Sequence, residues 1–201
     1  MSEHQSASDV FANPVPLGLL GMSIGSAALV PMCFGFGLTP QGLATAAILA
    51  LLFGVGGQAL AGLMSFANKN LLGGTLFTTF TFLWIFNWWT LNSLGKGLIP
   101  DHSIILSMEI ILFVVLSILT YAFGLFSSTL FAFLFTIDLL FVVRIIKTIT
   151  NNMALMPLVG LLTLVMIVIA LWLSFGMLVN PFAGKSVFAI GGPLYGPYKK
   201  K

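Results

Sequence analysis

The sequence predicts an all-α integral membrane protein with six transmembrane helices. Three observations lead there. Charged residues make up 6% of the chain, where a soluble domain carries about 25%. Hydrophobic residues make up 59%, and the mean hydropathy is +1.10. The apolar residues also fall into six long runs, at 14–36, 42–66, 71–92, 103–125, 128–149 and 154–179. Each is long enough to cross a bilayer core, which takes roughly 20 residues of helix. The expected organisation is an N-terminal tail over 1–12, one six-helix domain over 13–179 and a C-terminal tail over 180–201.

The first span opens on Asn13-Pro14-Val15-Pro16-Leu17-Gly18-Leu19. Asn is a good N-cap, and Pro at the first helical position loses no hydrogen bond. The motif therefore starts a helix at a fixed residue. Two readings follow. Asn13, Pro14 and Leu17 simply open a membrane helix, or the helix N-terminus holds an anion on its free N–H groups. Glu3 and Asp9 precede the span with no Lys or Arg, so it lacks the basic flank of a signal peptide.

Further along the first span, Gly21 and Gly25 make a small-xxx-small pair. Gly57, Ala61 and Ser65 repeat that spacing in the second. Such stripes let helix backbones approach closely in lipid. Gln58 is the strongly polar side chain of the second span. At that depth it is either a hydrogen bond between helices or a contact to cargo.

The third span is the most polar. Asn70 can cap it, and Thr75, Thr78, Thr79 and Thr81 crowd its first half. Either these hydroxyls bond back to their own helix or they line a hydrated wall. Trp84, Trp88 and Trp89 suit the far headgroup region.

The fourth and fifth spans carry Glu109, Asp138 and Arg144. Charges in hydrocarbon need partners or water. Asp138 and Arg144 are six residues apart, about 240° around a helix, and cannot pair on it. Glu109 and Arg144 sit at similar depth on antiparallel neighbours, so an interhelical pair is expected. Asp138 has two possible roles. It either holds a hydrogen bond to a neighbouring helix, or lines a path and takes up a proton.

The sixth span leads into Asn180-Pro181-Phe182-Ala183-Gly184, too rich in Gly and Pro to span again, and into Lys199, Lys200 and Lys201. Six spans place both termini on one side. That side collects Lys69, Lys185 and the three terminal lysines, against Lys96, Arg144 and Lys147 on the other. The bias puts both termini in the cytoplasm of a cell membrane. No basic face with interleaved aromatics suggests nucleic acid. Cys33 stands alone, and no Cys/His spacing suggests a metal. No nucleophile–base pair is legible, so no catalytic residue and no cofactor is expected.

The opening motif, the block Gly54 with Gln58-Ala59-Leu60-Ala61-Gly62, and Asn70, Gly73, Thr75, Phe77, Thr78 and Trp84 together resemble the acetate uptake transporter family. That family includes bacterial succinate–acetate permeases and fungal ammonia/acetate exporters. The resemblance implies a ring-shaped homohexamer with one pore per protomer and small monocarboxylates, chiefly acetate, as cargo. It implies an apolar neck, which by matching falls on Met22, Phe80 and Leu139, with Ala170 beside the path. Met22 and Phe80 replace the usual Phe and Tyr, and Asp138 replaces a small hydroxyl residue. Asn13, Gln58, Asn70, Thr75 and Thr78 are the donors expected to meet the carboxylate. A channel for neutral solutes such as urea, ammonia or short amides is the alternative.

Overall fold

The computed structural model describes residues 10–196. It is all helix and coil over that range. Glu3, His4 and Asp9 of the N-terminal tail, and the three terminal lysines, lie outside the described residues.

Six helical rods are long and apolar enough to cross a membrane. The first is α1 (Val15–Cys33). The second is α2 (Pro40–Leu49), a π-helical stretch (Ala50–Val55) and α3 (Gly56–Ala67) in one line. Then come α4 (Leu71–Gly95), α5 (His102–Gly124), α6 (Ser128–Thr150) and α7 (Met156–Ala183), the last preceded by a short 3-10 turn. The expected boundaries hold to within a few residues, and α7 runs past the expected end at 179.

The starts of these rods follow local chemistry. Thr39, Asn70, Asp101 and Ser127 each accept a backbone N–H from their own first turn. Asp101 accepts from Ser103 Oγ and from the Ser103 and Ile104 N–H groups, which holds its carboxyl below the ordinary range. The start of α1 differs by one residue from the sequence reading. Pro14 occupies the cap position, and Asn13 Oδ1 accepts the Val15 N–H at 3.1 Å.

The glycine stripes explain how the rods approach. A Cβ on Gly18 would lie 2.5 Å from the Phe77 ring and 2.9 Å from Ala61, and one on Gly21 would lie 2.5 Å from the Phe53 carbonyl. One on Gly57 would lie 2.9 Å from Gly21 Cα. The seam between the first and second rods is therefore closed backbone on backbone. Gly54, in the π-helical stretch, packs on the Trp84 indole. The wider π turn, with Gly56 N–H bonded to Leu51 carbonyl, sits at this contact.

Around the bundle, α5 packs on α6, α6 on α7, α7 on α1, α1 on α3, and α3 and α2 on α4. Among the described helices α5 packs extensively on α6 alone, and much of its surface is apolar and exposed. The segment after α7 folds back onto the bundle. Gly192 carbonyl accepts the Ser128 N–H, Leu194 N–H bonds Gly124 carbonyl, and Tyr195 stacks on Tyr121.

Candidate functional site

Two cavities lie at opposite ends of the bundle. α1, α4, α6 and α7 contribute to both. The terminal cavity, at the end where α1 starts and α7 stops, has a volume of about 380 Å3. Val15, Leu19, Leu76, Phe77, Phe133 and Leu134 line it, with Asn70 as its polar side chain. The distal cavity, of about 300 Å3, is lined by Met22, Phe80, Ile137, Leu140, Phe141 and Met166, and by polar groups farther out.

What separates them is thin and apolar. Leu19 faces one cavity and Met22 the other; Phe77 and Phe80, and Leu134 and Ile137, divide in the same way. Three residues of helix rise about 4.5 Å, so on these three helices the linings are less than one turn apart, whereas on α7 they run from Met166 to Met177. All six of these side chains are buried, as are Ala170 and Leu173 of α7 between the two levels. The lining side chains on either side of this step on α1, α4 and α6 are all apolar.

Met22 and Phe80 come together here, and Ala170 is buried in the same cluster. Leu139 does not join them. It is 40% exposed and faces the groove between α5 and α6, whereas Ile137 is 3% exposed and stands beside Met22 and Phe80. The correction is a matter of helix phase. Ile137, Leu140, Phe141, Arg144 and Lys147 form one stripe on α6, and residue 139 lies about 200° from 137.

The expected carboxylate donors are scattered. Asn70 reaches the terminal cavity, with its Oδ1 on the Gly73 N–H at 2.9 Å. Gln58 is fully buried and donates to the Gly18 carbonyl at 2.7 Å, tying α3 to α1. It lines neither cavity. Thr78 packs on Gly62 of α3, and Thr75 lines neither cavity either. Asn13 and Leu17 are exposed at the terminal end, outside both cavities. The first turn of α1 has little donor capacity left: Val15 N–H is used by Asn13, Gly18 N–H by Pro14 carbonyl, and Pro16 has none.

Asp138 faces away from the cavities. Thr120 Oγ1 of α5 donates to its Oδ2 at 2.7 Å, in the groove beside Leu139. Glu109 and Arg144 form an ion pair, with Nη2 and Oε1 2.5 Å apart, linking α5 to α6. Glu109 is buried, but Arg144 is not, and it lines the distal cavity.

The polar end of the distal cavity contains groups to which the sequence assigned no site role: Asn87 and Thr90 of α4, Lys147 of α6 and Cys33 of α1. Lys147 Nζ reaches Met156 Sδ at 3.6 Å. Two cations against the one carboxylate of Glu109 leave this end with one excess positive charge. The terminal cavity has no charged side chain in its wall.

No family model matches the chain, and no curated protein matches it. Among solved structures, the bacterial acetate channel SatP matches with a TM-score of 0.79 and 26% identity. The match covers 90% of this chain and 99% of that one. The likeness to the acetate uptake transporter family, carried in the sequence by the first three spans, extends to the whole fold.

Proposed function

We propose that the chain is a membrane passage for acetate and related small monocarboxylates, running from the distal cavity through the septum to the terminal cavity. The observation that carries this reading is the pair of cavities, one at each end, parted by a single turn of apolar side chains within a fold shared with an acetate channel. Acetate has a carboxylate like that of Asp or Glu and is almost wholly charged at neutral pH. A long apolar barrier would stop it by desolvation. A septum about 4.5 Å thick on α1, α4 and α6 lets the carboxylate keep water on one side while the methyl passes Met22, Phe80 and Ile137. An apolar constriction also breaks a continuous water file, the condition for gating by dewetting.

The finer elements of the reading are these. The six-helix domain over 13–179 transports, and the tails lie in the cytoplasm. The chain assembles as a homohexamer with one passage per protomer, and the exposed apolar face of α5 favours burial against lipid or another copy. Succinate is a test substrate of the same passage. Coupling to protons through Asp138 is not favoured, because its hydrogen bond points to α5. The charge-free wall of the terminal cavity keeps a neutral-solute channel as the rival reading.

Uptake of labelled acetate into proteoliposomes, with labelled urea in parallel, separates the two. Acetate flux that saturates and is competed by propionate, with no urea flux, is the expected result. Urea flux without acetate flux makes the protein a neutral-solute channel.

A further inference from the structure

We propose that Arg144 and Lys147 form an anion station in the distal cavity, which holds a carboxylate before it reaches the septum. The station deepens the acetate reading and rests on it for the identity of its ligand. Four observations carry it. Both cations line the same cavity, three residues apart on one face of α6. Arg144 spends Nη2 on Glu109 and lies over the Phe141 ring at 5.7 Å, which leaves guanidinium donors free toward the cavity. Among the described residues, Lys147 has a thioether as its one neighbour at hydrogen-bond range, a weak acceptor for one of its three N–H groups. Thr90 Oγ1, in the same wall, is buried and has no hydrogen-bond partner among the described residues.

The arithmetic of charge selects the ligand. One anion cancels the single excess positive charge, while a neutral solute leaves that charge uncompensated in the cavity. A planar carboxylate matches the guanidinium fork, with the ammonium on its second oxygen and the Thr90 hydroxyl as a further donor. The opposite cavity has no such charge. The passage is therefore asymmetric, with a binding step on the distal side alone.

Cys33 reports occupancy directly, since it is the chain's one cysteine and lines this cavity. The experiment measures how fast iodoacetamide alkylates Cys33 in detergent-solubilised protein as acetate is raised at constant ionic strength. Chloride and acetamide, the uncharged analogue of the same shape, are the controls. Acetate is expected to slow the reaction saturably and acetamide to leave it unchanged. Lys147→Gln should raise the half-protective acetate concentration about tenfold, and Lys147→Arg should restore it to within about twofold, as loss and return of a charge-assisted contact require. Protection that is equal for acetate and acetamide, or unaltered by Lys147→Gln, or as weak in Lys147→Arg as in Lys147→Gln, overturns the station. Flux with no protection overturns the station and leaves the acetate passage standing. Protection with no flux does the reverse.

Discussion

Breaking the Glu109–Arg144 pair should cost more from one side than from the other. Glu109 is 2% exposed and Arg144 27%, so the two residues differ in what remains when the partner goes. Two opposite charges about 4 Å apart attract by roughly 4 kcal/mol at the effective dielectric of about 20 that suits such sites. Arg144→Gln leaves Glu109 buried against α6. Its Oε2 already has no hydrogen-bond partner among the described residues, and the substitution strips its Oε1 of the guanidinium. The loss should approach the ~3–5 kcal/mol typical of a buried charge left alone. Glu109→Gln leaves Arg144 free to turn into the distal cavity, where water reaches it. Screening there should hold the loss to about 1–2 kcal/mol, nearer the cost of one hydrogen bond to a charged group. The double variant removes both charges and should recover at least about 1 kcal/mol against the sum of the single losses. Thermal melts of the four proteins in one detergent give the cycle. Equal and additive losses would refute the reasoning, since neither burial nor contact would then distinguish the two residues.

Other outcomes follow from the same geometry. Phe80→Ala and Ile137→Ala should raise lactate uptake relative to acetate, whereas Leu139→Ala, outside both cavities, should keep the wild-type ratio; a change confined to Leu139→Ala would restore residue 139 to the neck. Asp138→Asn can still accept from Thr120 Oγ1, so uptake and its pH profile, corrected for free acid, should match wild type, and a flattened profile would return Asp138 to the path. A membrane-impermeant thiol reagent should label Cys33 in intact cells when the distal cavity faces outward, and labelling only in inverted vesicles would reverse the orientation. Asp101 has its carboxyl held low by the first-turn donors of α5, so this cap contributes above the ordinary carboxylate range and is lost as pH falls through the lowered value. Amide exchange at Ser103 and Ile104 should be faster in Asp101→Ala at neutral pH, and that difference should vanish once wild type is acidified below the lowered value; a difference that persists in strong acid would contradict the sign.

What the sequence determined by itself was the number of spans, their limits and the small-residue seams. Each of these is local or nearly so. Six apolar runs of bilayer length have no soluble alternative, and caps such as Asn70 and Asp101 act on the turn that follows them. The Glu109–Arg144 pair was also legible, because antiparallel neighbours fix relative depth. What only the tertiary structure decided was direction. A membrane helix that is apolar all round carries almost no amphipathic signal to say which face looks inward. The hydroxyls of α4 could have lined a wall or bonded back; Thr81 donates to the Phe77 carbonyl of its own helix, and Thr78 packs on Gly62 of α3. Gln58 looked equally fit for cargo and for a neighbouring backbone, and it takes the Gly18 carbonyl. Residues 137 and 139 differ in the sequence by two positions and in the bundle by nearly half a turn, which puts one at the septum and the other in an outer groove. Lys147 read alone as a cation near a helix end. It becomes part of a site only because α6 turns it, with Arg144, into the same cavity.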